Sequence, residues 1–288
     1  MNALKLSFRV RVDVTNPGQF FACCGLLELA DRASKNAMGK FIESGQAFMF
    51  EVSTGEDYSS AKLLSDISRC KITSSLTSGE IERLRTLLNT KKTNLGSEAA
   101  AEKSLLTNKW NSERIQLGTP FNLLLDWWTD DESGSGTLKT WAGKQFITDI
   151  IEGVFQPFRE SKWAAEQIEK LFTFETDDGS LPFYFDATIG GHSSSLDVGF
   201  SLDALSIRGR IKPAVEFLAL IGLQRFKPAK DGNTFQYRIW MQDLPPILAA
   251  ALSSGGYSSG QFTEFSFPLL YRTKYLKAFL SAKPKPQS

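Results

Sequence analysis

Residues 4–32, LKLSFRVRVDVTNPGQFFACCGLLELADR, carry the clearest secondary-structure pattern in the N-terminal part of the chain. Apolar and polar side chains alternate from Leu4 to Val14, which predicts a β-strand with one buried face. Asn16 then supplies a helix N-cap and Pro17 suits the first helical position, and apolar residues at helical spacing follow them. The chain is therefore expected to open as strand, tight turn and helix.

The rest of the chain mixes strand and helix patterns without a regular order. Strands are predicted at 46–53, 114–117, 121–128, 234–241, as short pieces within 181–204, and as a last strand, with room for a helix, within 261–280. Helices are predicted at 59–69, 78–89, 139–158, 161–172, 212–223 and 244–252. The polar stretch 91–109 fits neither pattern. This order favours an α+β fold, with mixed, mainly antiparallel sheet elements packed against helices, over a doubly wound parallel sheet.

One stretch is a candidate linker. Residues 129–137 are acidic and rich in glycine and serine, which is typical of a mobile connection. They divide the chain into a candidate N-terminal α+β subdomain at 1–128 and a C-terminal α+β subdomain at 138–280. A flexible tail of proline and lysine is expected at 281–288.

Two helices resemble each other within the chain. The helix that begins at Asn16 and the helix predicted at 212–223 both start with a proline and carry a Gly-Leu pair in their later half. Internal duplication would produce this echo, and so would the need for small residues where a buried helix approaches its neighbours closely.

Composition sets the broad class. The chain has 288 residues with 42% hydrophobic and 23% charged side chains, which is ample for a folded core. No apolar run approaches the roughly 20 residues that span a bilayer, and the N-terminus lacks a signal-peptide core. The three cysteines show neither a disulfide framework nor a metal-ligand spacing. We therefore expect a cytoplasmic protein that does not enter a membrane.

The sequence offers little for proton-transfer chemistry. Its single histidine, His192, lies in the loop GGHSSS at 190–195. A serine triad needs its members on separate, rigidly placed elements, so this loop is a poor hydrolase site. Its backbone N–H groups and hydroxyls could instead bind a phosphate.

Acidic residues offer a second candidate chemistry. Asp186, Asp197 and Asp203 are close in sequence and could serve a metal-dependent nuclease, although nothing in their spacing forces them to converge on an ion. The chain contains no phosphate-binding loop ending in Gly-Lys-Ser/Thr, no dinucleotide fingerprint and no zinc pattern. The sequence therefore assigns no catalytic residue, no metal ligand and no cofactor.

Basic residues beside glycine and aromatic side chains are the best binding candidates. The chain carries 33 basic and 32 acidic residues, so attraction to nucleic acid would come from local patches. An aromatic ring among cations can stack on an unpaired base, while a solvated charged face is the alternative. The candidate nucleic-acid-binding residues are Lys139, Trp141, Lys144, His192, Arg208, Arg210 and Lys212.

Several segments together resemble a known family. They are Asn16–Asp31, Lys139–Gln145, Pro182–Ala187, Leu196–Phe200 and Pro213–Phe226. In combination they resemble the Csb3-type family of type I-U (I-G) CRISPR systems, and they are spread over most of the chain. The Asn-Pro-Gly opening with its Gly-Leu-Leu-Glu-Leu helix is also similar to the openings of several CRISPR large subunits.

The resemblance implies a non-catalytic, large-subunit-like component of a Cascade effector. Such a subunit would hold the CRISPR guide RNA and meet the target DNA at its flanking motif, beside the backbone and guide-processing subunits. Cleavage would fall to a separate helicase-nuclease. Two alternatives stay open, a metal-dependent nuclease or guide-processing enzyme, and a scaffold that contacts protein only.

Overall fold

The computed structural model describes residues 6–45, 47–55, 58–112, 114–126, 146–161, 165–176, 182–190, 210–257, 260–272 and 275–286. The α-helices within them are Pro17–Ser34 (α1), Ser60–Arg69 (α2), Ser78–Asn89 (α3), Ser97–Asn111 (α4), Ile147–Glu160 (α5), Ala187–Gly190 (α6), Pro213–Arg225 (α7) and Pro246–Ser253 (α8). Two 3-10 helices span Lys92–Asn94 and Ala165–Thr173.

The strands of the described residues are Leu6–Val12 (β1), Met38–Ser44 (β2), Ala47–Thr54 (β3), Ile72–Ser74 (β4), Ile115–Leu117 (β5), Leu123–Leu125 (β6), Ala229–Asp231 (β7), Thr234–Trp240 (β8), Phe262–Arg272 (β9), Tyr275–Phe279 (β10) and Lys283–Pro284 (β11). They form three sheets, with orders β1-β3-β2, β10-β9-β8-β7 and β4-β5-β6, and β11 joins β9. Every strand pair described is antiparallel. The α+β fold with mainly antiparallel sheets is confirmed.

The first sheet arises from the stretch that opens the chain. β1 alternates between exposed and buried side chains, with Phe8 and Val10 turned toward the core. α1 then crosses to β2 on the far edge, and β3 returns between them, so β1 and β2 run parallel at the two edges. The sheet thus buries one face against α1.

The centre of the fold is the contact between α1 and α7, the most extensive between any two elements. Both helices cross at a glycine: a Cβ atom on Gly25 would lie 2.0 Å from Leu218 O, and one on Gly222 would lie 2.0 Å from Phe21 O. The backbones therefore touch with no side chain between them. The helices that resemble each other in sequence are thus direct neighbours, and close packing is a sufficient reason for their shared Gly-Leu pair.

Aromatic side chains join the first two sheets around α1. Phe20 stacks on Tyr237 with 4.1 Å between ring centroids. The Trp240 indole donates a hydrogen bond to Gly39 O at 2.7 Å, so the end of β8 is fixed to β2. The main core takes side chains from both sides of the predicted linker, as Val10 and Phe217 illustrate, and the division into subdomains stays a prediction.

A helical hairpin carries a small core of its own. α3 begins with a capping box between Thr77 and Glu80, and α4 packs against it. Leu84 and Leu87 are buried there with Phe146, which stacks on Trp110. The polar stretch that fitted neither pattern is therefore helical over most of its length.

Other predictions differ from the structure in identifiable ways. β2 was not predicted at all. The helix within 161–172 is a 3-10 helix, and the last part of 261–280 is strand β10 instead of a helix. The described part of 181–204 is irregular chain followed by α6. Part of the predicted tail also lies on the fold, because β11 pairs with β9 and Ala282 N donates to Thr15 O at 2.7 Å.

Candidate functional site

A buried polar cluster around Asp186 links distant parts of the chain. It begins at Asn16, the N-cap of α1, whose side-chain oxygen accepts hydrogen bonds from Gly18 N at 3.1 Å and from Ala187 N at 3.2 Å. The Asn16 amide nitrogen donates to Asp186 Oδ1 at 2.6 Å. One side chain thus caps the helix and fixes the segment 182–187 beside it.

Asp186 is the centre of this cluster. Its side chain has no exposure to solvent, and its Oδ1 also accepts hydrogen bonds from Thr188 N at 3.0 Å and Thr188 Oγ1 at 2.8 Å. Its Oδ2 lies 2.9 Å from Lys212 Nζ. That contact is an ion pair without a well-aligned hydrogen bond, because Oδ2 has no hydrogen-bond partner among the described residues. The ammonium offsets part of the free-energy cost of burying the Asp186 side chain.

Lys212 joins the cluster from the N-terminus of α7. Its side chain is only 14% exposed, and its ammonium donates to Thr188 Oγ1 at 3.0 Å in addition to pairing with Asp186. The aliphatic stem of Lys212 is therefore packed while the charge is satisfied within the protein. This arrangement favours a structural role for Lys212 over the phosphate contact expected from the sequence.

Glu216, in the first turn of α7, completes the cluster. It is fully buried and accepts backbone hydrogen bonds from Phe185 N at 3.2 Å and Asp186 N at 3.0 Å. Burial raises the pKa of Glu216 to about 8; the hydrogen bond from Asp186 N lowers the pKa, and the charge of the Asp186 carboxylate raises it. The segment 182–187 is thus held by α1 on one side and by α7 on the other.

The polar groups of the cluster bind one another and leave no part of the Asp186 side chain exposed to solvent. The Asp186 carboxylate is occupied by Asn16, Thr188 and Lys212, and no side-chain oxygen of it reaches solvent. In the part of the chain that the structure describes, no group of three or more His, Cys, Asp or Glu side chains could hold a metal ion. These surroundings count against Asp186 as the metal ligand of a nuclease; Asp197 and Asp203 lie outside the described residues.

A second buried charge lies at the opposite ends of the same two helices. Glu28 of α1 is buried and accepts hydrogen bonds from Arg32 Nε at 2.7 Å and from both Nε and a terminal nitrogen of Arg225, at the end of α7. Arg32 also donates to Phe121 O at 3.1 Å. α1 and α7 are therefore joined directly by charged groups toward their C-terminal ends, by contact at their glycines, and through the segment 182–187 at their N-terminal ends.

The predicted nucleic-acid-binding residues are only partly described. Lys139, Trp141, Lys144, His192 and Arg208 lie outside the described residues. Arg210 and Lys212 come close together where the chain enters α7, and the antiparallel bridge between Ile211 and Thr176 fixes the backbone between them. The Arg210 side chain is 72% exposed and lies 3.6 Å from Glu175.

Sequence reasoning missed the connection between Asn16, Asp186 and Glu216. The sequence predicts an N-cap role for Asn16 and offers Asp186 as a candidate metal ligand, but it connects neither residue with Glu216. A signal existed in the α7 stretch KPAVEFLALIGL, because a single glutamate inside an otherwise apolar buried helix needs a polar partner. Which residue would supply that partner could not be read from the sequence.

The chain matches no protein-family model, no curated protein and no solved structure. Among the helices of the described residues, none is both long and apolar enough to cross a membrane.

Proposed function

We propose that this chain is a non-catalytic, cytoplasmic subunit of a type I CRISPR RNA-guided interference complex. In this proposal it contributes to holding the guide RNA and to recognising the target DNA at its flanking motif, beside the other Cascade subunits. A separate helicase-nuclease cleaves the target.

One observation carries the proposal. Three of the segments that resemble the Csb3-type family, Asn16–Asp31, Pro182–Ala187 and Pro213–Phe226, meet at the buried cluster of Asn16, Asp186 and Glu216. Residues that resemble the family in scattered places along the sequence thus depend on one another in the fold. The three segments are therefore neighbours in one buried unit of the fold, and this supports the proposal that they act together.

Arg210 supports the nucleic-acid part of the proposal. Its guanidinium is largely exposed next to a fixed backbone, and its contact with Glu175 at 3.6 Å is a weak surface pair that a phosphate could replace. The neighbouring Lys212 is used inside the protein. The proposal accordingly assigns phosphate contact to Arg210, and to Lys144 from the sequence pattern.

A salt titration of DNA binding tests these contacts. In a complex assembled with guide RNA, Lys144→Glu and Arg210→Glu should each weaken target-DNA binding. Each should also lower the slope of log K against log salt concentration by about 1. Arg69→Glu, at an exposed position at the end of α2, is the control for an added negative charge. If a correctly assembled complex with either variant binds DNA as the wild type does, that contact assignment is refuted.

A further inference from the structure

The free edge of β2 is the feature from which a further site follows. Gly39 N donates to Leu244 O at 2.9 Å, and Leu244 N donates to Gly39 O at 3.1 Å. The backbone groups of Gly39 therefore point away from β3. Because this direction alternates along an antiparallel strand, the N–H and C=O groups of Phe41 and Glu43 point away from β3 as well.

The chain itself leaves this edge open. If the pairing begun at Leu244 continued, Gln242 would lie opposite Phe41. Instead the chain turns toward the second sheet, where Met241 N donates to Gln261 O at 3.3 Å. Within the described residues, the outward backbone groups of Phe41 and Glu43 have no protein partner. Along this edge, Gly39 is therefore hydrogen-bonded to Leu244, while the outward backbone groups of Phe41 and Glu43 are free to pair with an added strand.

A cleft lies where the two sheets separate. It has a volume of about 580 Å³ and is lined by Lys40, Phe41, Ile42, Glu43, Met241, Gln261, Phe262 and Thr263. Its walls are one strand edge and the junction of β8 with β9, so it is lined by backbone as well as by side chains. The cleft is open beside the edge, which gives an added strand access to it.

The charges at this edge select the occupant. Lys40 lines the cleft, and its charge is already paired within the protein, because its ammonium lies 3.3 Å from Glu51 and 3.2 Å from Asp243. Glu43 is exposed and has no ion-pair partner among the described residues. An incoming strand would therefore gain from a basic side chain opposite Glu43, since opposite charges across a strand pair attract.

We propose that the open edge of β2 binds an extended peptide segment of a partner protein by β-strand addition, with a lysine or arginine of that segment next to Glu43. The segment continues the pairing that Leu244 starts, and its side chains on one side enter the cleft. This inference does not depend on the proposed function, because it uses only the backbone and charges of the edge.

Hydrogen exchange with a defined probe tests the site. The probe is a synthetic seven-residue peptide of alternating valine and threonine with a central lysine, and its match carries glutamate at the centre. Under conditions where fluorescence anisotropy shows saturation by the lysine peptide, amide exchange of Phe41 and Glu43 should slow at least about tenfold, as for newly paired backbone. The outward-facing amides are specific reporters, because binding elsewhere would leave them unchanged.

Variants at Glu43 separate the contribution of its charge to peptide binding from that of its backbone N–H group. Glu43→Lys should weaken the lysine peptide and strengthen the glutamate peptide, each by about threefold. Glu43→Pro also removes the outward N–H donor, at an edge position where proline is tolerated, and should weaken binding more than Glu43→Gln does. No binding of the lysine peptide by the wild-type chain at about 1 mM, or saturation without slower exchange at Phe41 and Glu43, would overturn the proposal.

Discussion

The substitution Asp186→Asn tests whether the buried cluster locks the fold. It keeps the size of the side chain and leaves an amide oxygen that can accept from Asn16 and Thr188. It removes the negative charge that lies 2.9 Å from Lys212 Nζ. The main source of destabilisation is therefore the ammonium of Lys212, which loses its counter-charge and has little access to water.

The expected size follows from this geometry. Removing one partner of a buried ion pair destabilises a protein by about 3–5 kcal/mol, and the 14% exposure of Lys212 places this case near the lower end. We expect Asp186→Asn to reduce the free energy of unfolding by about 3 kcal/mol. The double variant Asp186→Asn/Lys212→Met should recover about 1–3 kcal/mol of this loss, because it removes the unpaired charge.

Urea denaturation at pH 7 measures both quantities. Asp243→Asn is the matched control, because Asp243 also pairs with a lysine, at 3.2 Å from Lys40, but is 43% exposed. Its loss should be about 0–1 kcal/mol. If Asp186→Asn is as mild as this control, or if Lys212→Met deepens its loss, the cluster does not hold α1, α7 and the intervening segment together.

Two further predictions concern the helix pair. Gly222→Ala places a Cβ atom 2.0 Å from Phe21 O, so the helices must separate by roughly 1 Å. Thermal denaturation should show that the free energy of unfolding falls by about 1–3 kcal/mol. Gly79→Ala, in open space on α3, should be neutral or stabilising, and equal effects at both positions would contradict the close crossing. The pKa of Glu216 is about 8 in the folded protein, against an ordinary value of 4.5. Between pH 4.5 and 8, Glu216 is therefore protonated in the folded protein and deprotonated in the unfolded chain. The free energy of unfolding should therefore fall as pH rises from about 5 to 8, by up to about 1.4 kcal/mol per pH unit. Urea titrations at several pH values should show a flatter pH dependence for Glu216→Gln. The same pH dependence in the variant and the wild type would refute this role of Glu216.

Local patterns predicted the elements whose side chains follow one period. β1 alternates cleanly between buried and exposed residues, and α1 has both an N-cap and a proline at its start. β2 was missed because only Gly39 and Phe41 are buried there, while its outward side chains are themselves half-covered, so the alternation is weak. Elements whose apolar residues follow a clear helical or strand period could thus be predicted, whereas elements whose burial depends on neighbouring elements could not.

The candidate site was less predictable than the fold. Asn16 and Asp186 are hydrogen-bonded across 170 positions of sequence, and no local pattern specifies a partner at that distance. Lys212 and Arg210 looked equivalent in the sequence, yet one side chain is nearly enclosed and the other is largely exposed. The difference arises from the packing of segment 182–187 beside α7, which depends on the tertiary fold.

The most direct test of the proposed function is the affinity of the interference complex for its target. We would assemble the complex from its genomic neighbours with guide RNA, with and without this chain, and titrate target DNA at fixed salt concentration. We expect the chain to co-purify with the guide-containing complex, and we expect its omission to weaken target-DNA binding at least tenfold, which corresponds to about 1.4 kcal/mol. A complete complex that forms without the chain and binds target DNA with unchanged affinity would contradict it.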